Sequence, residues 1–195
     1  MSRDNEDPVL ASVEAYSNDP LGYCEKFKRH KLELPERFNS LLATNSDVLD
    51  IGCGPGRDLD FFASCGHGVV GIELNSSFYD MCSSKHTVVN GDIRELTSFF
   101  SPQTFDGIWA QASFVHLSTD EVEAVIVDCF TLLRPGGLFY ASVPSSGDTG
   151  WRDETDGRRW YTVWPDDSIS TPMQHAGFTV FDISVGPYVE VWARK

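Results

Sequence analysis

The chain has 195 residues, of which 41% are hydrophobic and 23% charged, a composition that fits one globular core and excludes a disordered or fibrous chain. Fifteen Lys and Arg against 29 Asp and Glu give a formal net charge of −14, which disfavours nucleic acid and anionic membranes as partners. The five cysteines are dispersed without a CxxC pair, so we expect reduced thiols. The N-terminal residues are polar and no apolar run could span a bilayer, so we expect a cytoplasmic protein.

The N-terminal residues 1–44 predict a helical cap, with helices over 9–16, 21–31 and 35–42. From residue 45 to 143, strands alternate with helices. We predict strands over 47–51, 68–73, 87–89, 105–111 and 138–143, helices over 57–64, 76–84 and 119–133, and a turn at 134–137. Because parallel neighbours need crossover connections, the pattern predicts a doubly wound α/β fold with a mostly parallel sheet and helices on both faces.

The remaining residues, 144–195, begin with a segment rich in Gly, Ser, Asp and Trp over 145–164. A helix over 166–175 and strands over 178–185 and 188–193 should follow, which brings the sheet to seven strands. The short turn at Gly186-Pro187 predicts that the last strand is antiparallel to its neighbour.

Three successive strand ends carry residues suited to a nucleoside. The first strand runs into a glycine-rich loop at residues 50–56, at the sheet edge where ligands bind in such folds, and glycines admit close approach. Glu73 ends the second strand and could accept from two ribose hydroxyls, while Asp92 and Ile93 follow the third and could contact a purine. Taken alone, Glu73 also fits a solvated strand end, and the glycine loop also fits a tight turn. A dinucleotide fingerprint would need glycine where the chain has Arg57, which disfavours NAD.

Five segments, in this order and spacing, carry a family resemblance: VLDIGCGPGRD, VVGIELN, GDI, FDGIWAQASFVHL and LLRPGGLFYASV. Over residues 46–143 the chain resembles class I S-adenosylmethionine-dependent methyltransferases of Rossmann-like fold, in particular small bacterial members with a GCGPGRD first motif. The resemblance implies S-adenosylmethionine as cofactor and S-adenosylhomocysteine as product. It also implies one domain over 1–195, with the cap at 1–44, a cofactor-binding core at 45–143, and a substrate-side insertion with the closing strands at 144–195.

The resemblance assigns ten residues to the cofactor site: Asp50, Gly52, Cys53, Gly54, Glu73, Leu74, Asp92, Ile93, Ala110 and Gln111. The glycines would approach the methionine portion, with Asp50 orienting the loop and the amino group. Glu73 would hold the ribose, and the residues at 74, 92 and 93 the adenine. Ala110 and Gln111 would line the methionine end; they do not form the acidic cluster of metal-assisted relatives, so no metal is expected.

His116, just beyond the fourth strand, is the histidine that this topology brings near the transferred methyl. We predict that it is a general base with an ordinary pKa, so that the rate rises near pH 6 to 7; a structural role capping the following helix is the alternative. Tyr16 and Tyr23 could close over the cofactor, and Trp151 and Tyr161 could wall the acceptor pocket, although packing alone would also explain all four.

The function expected from these features is metal-independent methyl transfer to an O, N or S atom of a small-molecule acceptor. Three alternatives stay open at this point. One is an RNA or protein methyltransferase, another a non-catalytic S-adenosylmethionine-binding module, and the third a nucleotide-dependent oxidoreductase. The sequence identifies neither the acceptor nor the oligomeric state.

Overall fold

A computed structural model describes residues 6–27 and 32–195. The helices are α1 (Pro8–Ala15), α2 (Pro20–Phe27), α3 (Glu33–Leu41), α4 (Arg57–Ser64), α5 (Ser76–Ser83), α6 (Leu96–Phe99), α7 (Thr119–Leu132) and α8 (Ser170–Ala176). The strands are β1 (Asp47–Ile51), β2 (Gly68–Glu73), β3 (Thr87–Asn90), β4 (Phe105–Gln111), β5 (Leu133–Pro144), β6 (Gly150–Glu154), β7 (Gly157–Tyr161), β8 (Thr179–Val185) and β9 (Tyr188–Arg194).

Seven strands form one sheet in the order β3-β2-β1-β4-β5-β9-β8. Strands β1 to β5 pair in parallel, whereas β9 is antiparallel to both β5 and β8. The predicted fold, with its antiparallel last strand, is therefore confirmed. The strand order reverses between β1 and β4, so the loops after these two strands flank the crevice where such sheets bind ligands.

Both faces of the sheet are buried. On one face, Leu49 and Ile108 belong to a core that includes apolar residues of α7 and α8. On the other, Trp109 packs with Phe38 of α3 and Phe62 of α4. Burial on both faces explains why the strand sequences are continuously apolar rather than alternating.

Several predicted boundaries differ from the structure. Helix α2 is described to Phe27, and the predicted helix at residues 28–31 and the first five residues of the cap lie outside the described residues. The predicted turn at 134–137 lies within β5 as a bulge, because Leu133 pairs with Phe105 and Leu138 with Gly107. The predicted helix at 166–175 begins only at Ser170, after a turn in which Asp166 has a φ of 50°.

The aromatic segment at 145–164 contains a hairpin, β6–β7, that forms a separate two-stranded sheet. This hairpin packs on α1: the Trp160 N–H donates to Ser12 Oγ at 2.8 Å. A Cβ on Gly157 would lie 2.8 Å from the Cβ of Ala15, so this close approach requires glycine. The hairpin and the N-terminal cap are thereby joined at the carboxyl edge of the main sheet.

Within residues 6–27 and 32–195, every helix is too short or too polar to cross a membrane.

Candidate cofactor and acceptor site

The loop after β1 is shaped by glycines. Gly52 and Gly54 have φ values of 64° and 55°, in the left-handed region that disfavours side chains. The Gly52 N–H donates to the Ile72 carbonyl at 2.9 Å, which ties the loop to the end of β2. A Cβ on Gly54 would have no neighbour within 4 Å, so this position leaves open space beside the backbone.

Glu73, at the end of β2, is only 7% exposed. Its two carboxylate oxygens accept from the N–H groups of Gly54 and Asn75, each at 2.7 Å. Burial raises the pKa of the carboxyl, and these hydrogen bonds oppose that rise. One acidic side chain therefore joins the glycine loop to the start of α5.

A cavity of about 100 Å³ lies against this loop. It is lined by the predicted residues Glu73, Leu74, Asp92 and Ile93, together with the two loop glycines. Its other walls come from the N-terminal helices, from α5 and from the segment 112–117 after β4. Sequence reasoning missed the apolar residues of the helices, Val9, Val13 and Phe78, and most of that segment. The helical spacing of Val9 and Val13 is a signal that could have placed both on one face of α1.

Three aromatic side chains that contact one another, Tyr16, Tyr23 and Phe78, line one side of the cavity. The ring centroids of Tyr16 and Tyr23 are 5.2 Å apart, and Phe78 lies 5.8 Å from Tyr16 and 5.0 Å from Tyr23. Both tyrosines therefore lie beside the glycine loop, and their closure over a cofactor stays a prediction.

The Asp92 carboxylate is held by Arg94. Asp92 Oδ2 accepts from Arg94 Nη2 at 2.6 Å and from Nε at 2.9 Å. Arg94 also pairs with Asp7, just before α1, at 3.0 Å, and with Glu121 of α7 at 2.9 Å. The arginine thus fixes Asp92 and ties the base of α1 to the core.

A larger cavity of about 610 Å³ adjoins the first; the two share Gly52, Gly54, Ala112 and Tyr23, so they meet at the glycine loop. The predicted residues Asp50, Cys53 and Gln111 line it. Asp50 is buried, and no described residue donates to its Oδ2 atom. Burial and the nearby Asp58 raise the pKa of Asp50 well above its ordinary value, as expected for an acid that lacks a donor.

Ala110 lines neither cavity because it is fully buried in β4. Ala112, two residues later, lines both cavities and was missed by sequence reasoning. Its φ of 55° is uncommon for a residue other than glycine, and its N–H donates to Ser142 Oγ at 2.9 Å. This bend turns the chain out of β4 and over the glycine loop.

Arg57 begins α4 at the edge of the larger cavity. It donates to both carboxylate oxygens of Asp58, at 2.7 and 2.8 Å, and to Gln111 Oε1 at 2.9 Å. Arg57 and Asp58 thus form an ion pair, and the contact with Gln111 links α4 to the end of β4.

His116 is 6% exposed and lies between the cap and the hairpin. Its Nδ1 lies within hydrogen-bond distance of the Trp160 carbonyl, which can only accept, so Nδ1 carries the proton. The other nitrogen, Nε2, then accepts from the Tyr16 hydroxyl at 2.9 Å. Tyr16 thus donates its hydroxyl hydrogen to His116 and keeps oxygen lone pairs for another donor.

Two expectations for His116 need correction. Burial lowers its pKa to about 4, so the pH at which it gains a proton moves below the predicted range of 6 to 7. The alternative role as a helix cap is wrong, since Ser118 caps α7: its side chain accepts from the Glu121 N–H, and the Glu121 carboxylate accepts from the Ser118 N–H.

The two candidate aromatics of the hairpin have different surroundings. The ring of Tyr161 lies edge-on to His116 at 5.2 Å, and its hydroxyl donates to Glu154 at 3.3 Å. Trp151 packs edge-on against Trp160 at 5.9 Å and lines neither cavity. Tyr161 is therefore next to the cavity wall, and Trp151 is one strand away from it.

In the described part of the chain, no group of three or more His, Cys, Asp or Glu side chains is arranged to hold a metal ion.

Residues 48–137 match the family model of a methyltransferase domain. The matched segment runs from β1 to the bulge in β5 and contains the glycine loop, Glu73, Asp92 and His116. The predicted methyltransferase domain is thus confirmed for this segment. The cap and the β6–β7 hairpin lie outside it.

Sequence and fold comparisons agree with this match. The chain is 32% identical over 129 residues to sterol 24-C-methyltransferase of Candida albicans, covering 59% of this chain and 30% of that protein. It spans less than half the length of the first curated relatives it matches. The fold resembles 1,6-didemethyltoxoflavin-N1-methyltransferase of Burkholderia thailandensis, with a TM-score of 0.71 and 20% identity over 100% of this chain and 92% of that one.

The fold by itself does not decide the reaction. The cyclase SpnF has the same fold, with a TM-score of 0.68 and 18% identity over 83% of this chain and 79% of that one. Function must therefore be argued from the side chains of the site.

Proposed function

We propose that this protein transfers a methyl group from S-adenosylmethionine to a small-molecule acceptor. The observation that carries the proposal is the small cavity, around which Glu73, Leu74, Asp92 and Ile93 come together from two strand ends beside the glycine loop. The Glu73 carboxylate suits the hydroxyls of a ribose, and the apolar side chains with the Asp92 carboxylate suit an adenine.

The residues present fit this cofactor. The open space beside Gly54 admits a ligand close to the backbone, and the unpartnered Oδ2 of Asp50 offers an acceptor for an amino group. Cys53 and Gln111 line the same side, and Ala110 supports it from within β4. The bound cofactor would supply a methyl group on a positively charged sulfur, which leaves as a neutral thioether.

The protein's own contribution lies in positioning and in the proton. We assign the acceptor side to Tyr16, Tyr23 and His116, with Tyr161 behind them and Trp151 supporting the hairpin. Their aromatic rings exclude water from the reacting atoms. An acceptor N–H or O–H would donate to the Tyr16 oxygen while Tyr16 donates to Nε2 of His116, so the proton would pass through Tyr16 to His116. Because its pKa is about 4, His116 would release that proton again at neutral pH.

A small acceptor is favoured over RNA or protein. The rings of Tyr16, Tyr23 and Phe78 line the cavity at centroid distances of 5.0 to 5.8 Å from one another, which leaves little room for a polymer segment. The net charge of −14 opposes a nucleic acid. The relatives named for sterol and didemethyltoxoflavin methylation act on small molecules by their names. The narrower likeness to small bacterial enzymes with a GCGPGRD motif, the cytoplasmic location and the three-part division at residues 44 and 143 stay predictions.

The test has two steps. Calorimetry should detect binding of S-adenosylhomocysteine to the purified chain, and incubation with methyl-labelled S-adenosylmethionine and a metabolite extract should transfer label to a small product. Binding without transfer to any extract fraction would indicate the non-catalytic binding module, and binding of NADH in its place would indicate an oxidoreductase.

A further inference from the structure

Arg159 of β7 is a buried cation next to the acceptor side. Its side chain is 6% exposed, and its guanidinium carbon lies 3.8 Å from the ring centroid of Tyr16, which lines the small cavity. A fully buried guanidinium is uncommon, because desolvation of the charge must be offset by partners that accept all of its hydrogen bonds.

The described partners of Arg159 do not include an acceptor for its Nε–H. Nη2 pairs with the Asp156 carboxylate, and a further hydrogen bond links the guanidinium to Tyr161. The Nε–H is buried, and no described residue accepts from it. Guanidinium groups bind oxyanions through adjacent N–H groups, so a free Nε–H is the donor that a ligand oxygen would use.

The hairpin of residues 150–161 carries three arginines, at 152, 158 and 159, and three acids, at 153, 154 and 156, so its net charge is zero whereas that of the whole chain is −14. Of the three arginines, Arg159 is the buried one. Arg158 is 53% exposed and pairs with Asp153 at 3.9 Å, whereas Arg152 lies over the Tyr161 ring at 4.7 Å.

We propose that Arg159 binds a carboxylate or phosphate group of the methyl acceptor. This inference rests on the proposed function and specifies its substrate class. Tyr16 and His116 line the cavity, and Arg159 lies one side chain behind Tyr16. Arg159 itself lines neither cavity, so an acceptor that enters beside Tyr16 would shift the Tyr16 ring to bring its anionic end to the Nε–H. Tyr16 covers the guanidinium until the acceptor replaces that contact.

The test measures binding to the chain loaded with S-adenosylhomocysteine, and it does not require turnover. The probes are two matched pairs: 4-aminobenzoate with aniline, and phenyl phosphate with phenol. In at least one of the two pairs, we expect the anionic probe to bind at least tenfold more tightly than its neutral partner. Arg159→Gln should abolish this preference, Arg159→Lys should keep part of it, and the exposed control Arg158→Gln should retain it.

Each outcome has one meaning. Equal affinity for charged and neutral probes in the wild type would overturn the inference, as would an anion preference that survives in folded Arg159→Gln. If Arg159→Gln does not fold, the wild-type comparison and the Arg159→Lys variant still decide. Failure of S-adenosylhomocysteine to bind the wild type would instead reject the proposed function.

Discussion

Replacing Glu73 by glutamine is the most direct test of the cofactor site. Both carboxylate oxygens accept backbone N–H groups at 2.7 Å, one from Gly54 and one from Asn75. A glutamine has one oxygen and one NH2 group, and the NH2 group cannot accept. One of the two N–H groups therefore loses its acceptor, and the other keeps only an uncharged one. The loss should lower the free energy of unfolding by about 1.5 to 3 kcal/mol.

The same change removes the charge and one of the two oxygens proposed as acceptors for the ribose hydroxyls. We expect S-adenosylhomocysteine to bind at least about tenfold more weakly to Glu73→Gln, which corresponds to about 1.4 kcal/mol. Calorimetry measures the affinity, and thermal unfolding measures the stability. Glu95→Gln, the same substitution at an exposed acid, is the control and should change neither. A lower melting temperature with unchanged affinity would show that Glu73 only braces the loop, and the cofactor assignment would be refuted.

The other predictions concern His116, Gly54 and Tyr16. His116→Gln should remove the part of the pH dependence of stability that comes from this histidine. The folded pKa of about 4 lies below the ordinary 6.5, so the stabilisation is complete above pH 6.5 and is lost as the pH falls. Between pH 6.5 and 4, the free energy of unfolding, measured with urea, should fall by up to about 3 kcal/mol more in the wild type than in the variant. Gly54→Ala should abolish cofactor binding and should also destabilise the fold by about 1–2 kcal/mol through backbone strain. Gly136 has a positive φ and open space around it as well, so the control Gly136→Ala should show the loss of stability without any loss of binding. Tyr16→Phe should lower kcat and leave S-adenosylhomocysteine affinity within about threefold, since it removes only the hydroxyl next to His116.

The cofactor side could be predicted because its signals are local. A parallel strand that runs into a glycine loop must end at the same edge as its neighbours, so the residues at 54, 73 and 92 had to come together. Ala112 escaped prediction because its left-handed backbone depends on a hydrogen bond to Ser142 of the next strand, 30 residues away. No local pattern marks such a bend at an alanine.

The acceptor side depends on contacts between distant segments, and for that reason its details could not be read from the sequence. The tautomer and low pKa of His116 follow from burial under a hairpin that begins more than 30 residues later. The role of Arg159 depends on its position over Tyr16, across 143 positions of the chain. The aromatic richness of residues 145–164 indicated a packed element, but it did not indicate which side chains would face the cavity.

These long-range contacts also couple the two halves of the site. Trp160 donates its N–H to Ser12 of α1, and its carbonyl accepts from His116, so the position of α1 fixes the hydrogen-bonding state of the histidine. Helix α1 also supplies Val9 and Val13 to the cavity beside Glu73. Because one helix borders the proposed cofactor site and supports the hairpin that holds His116, a substitution at Ser12 that loosens the hairpin should also change cofactor affinity.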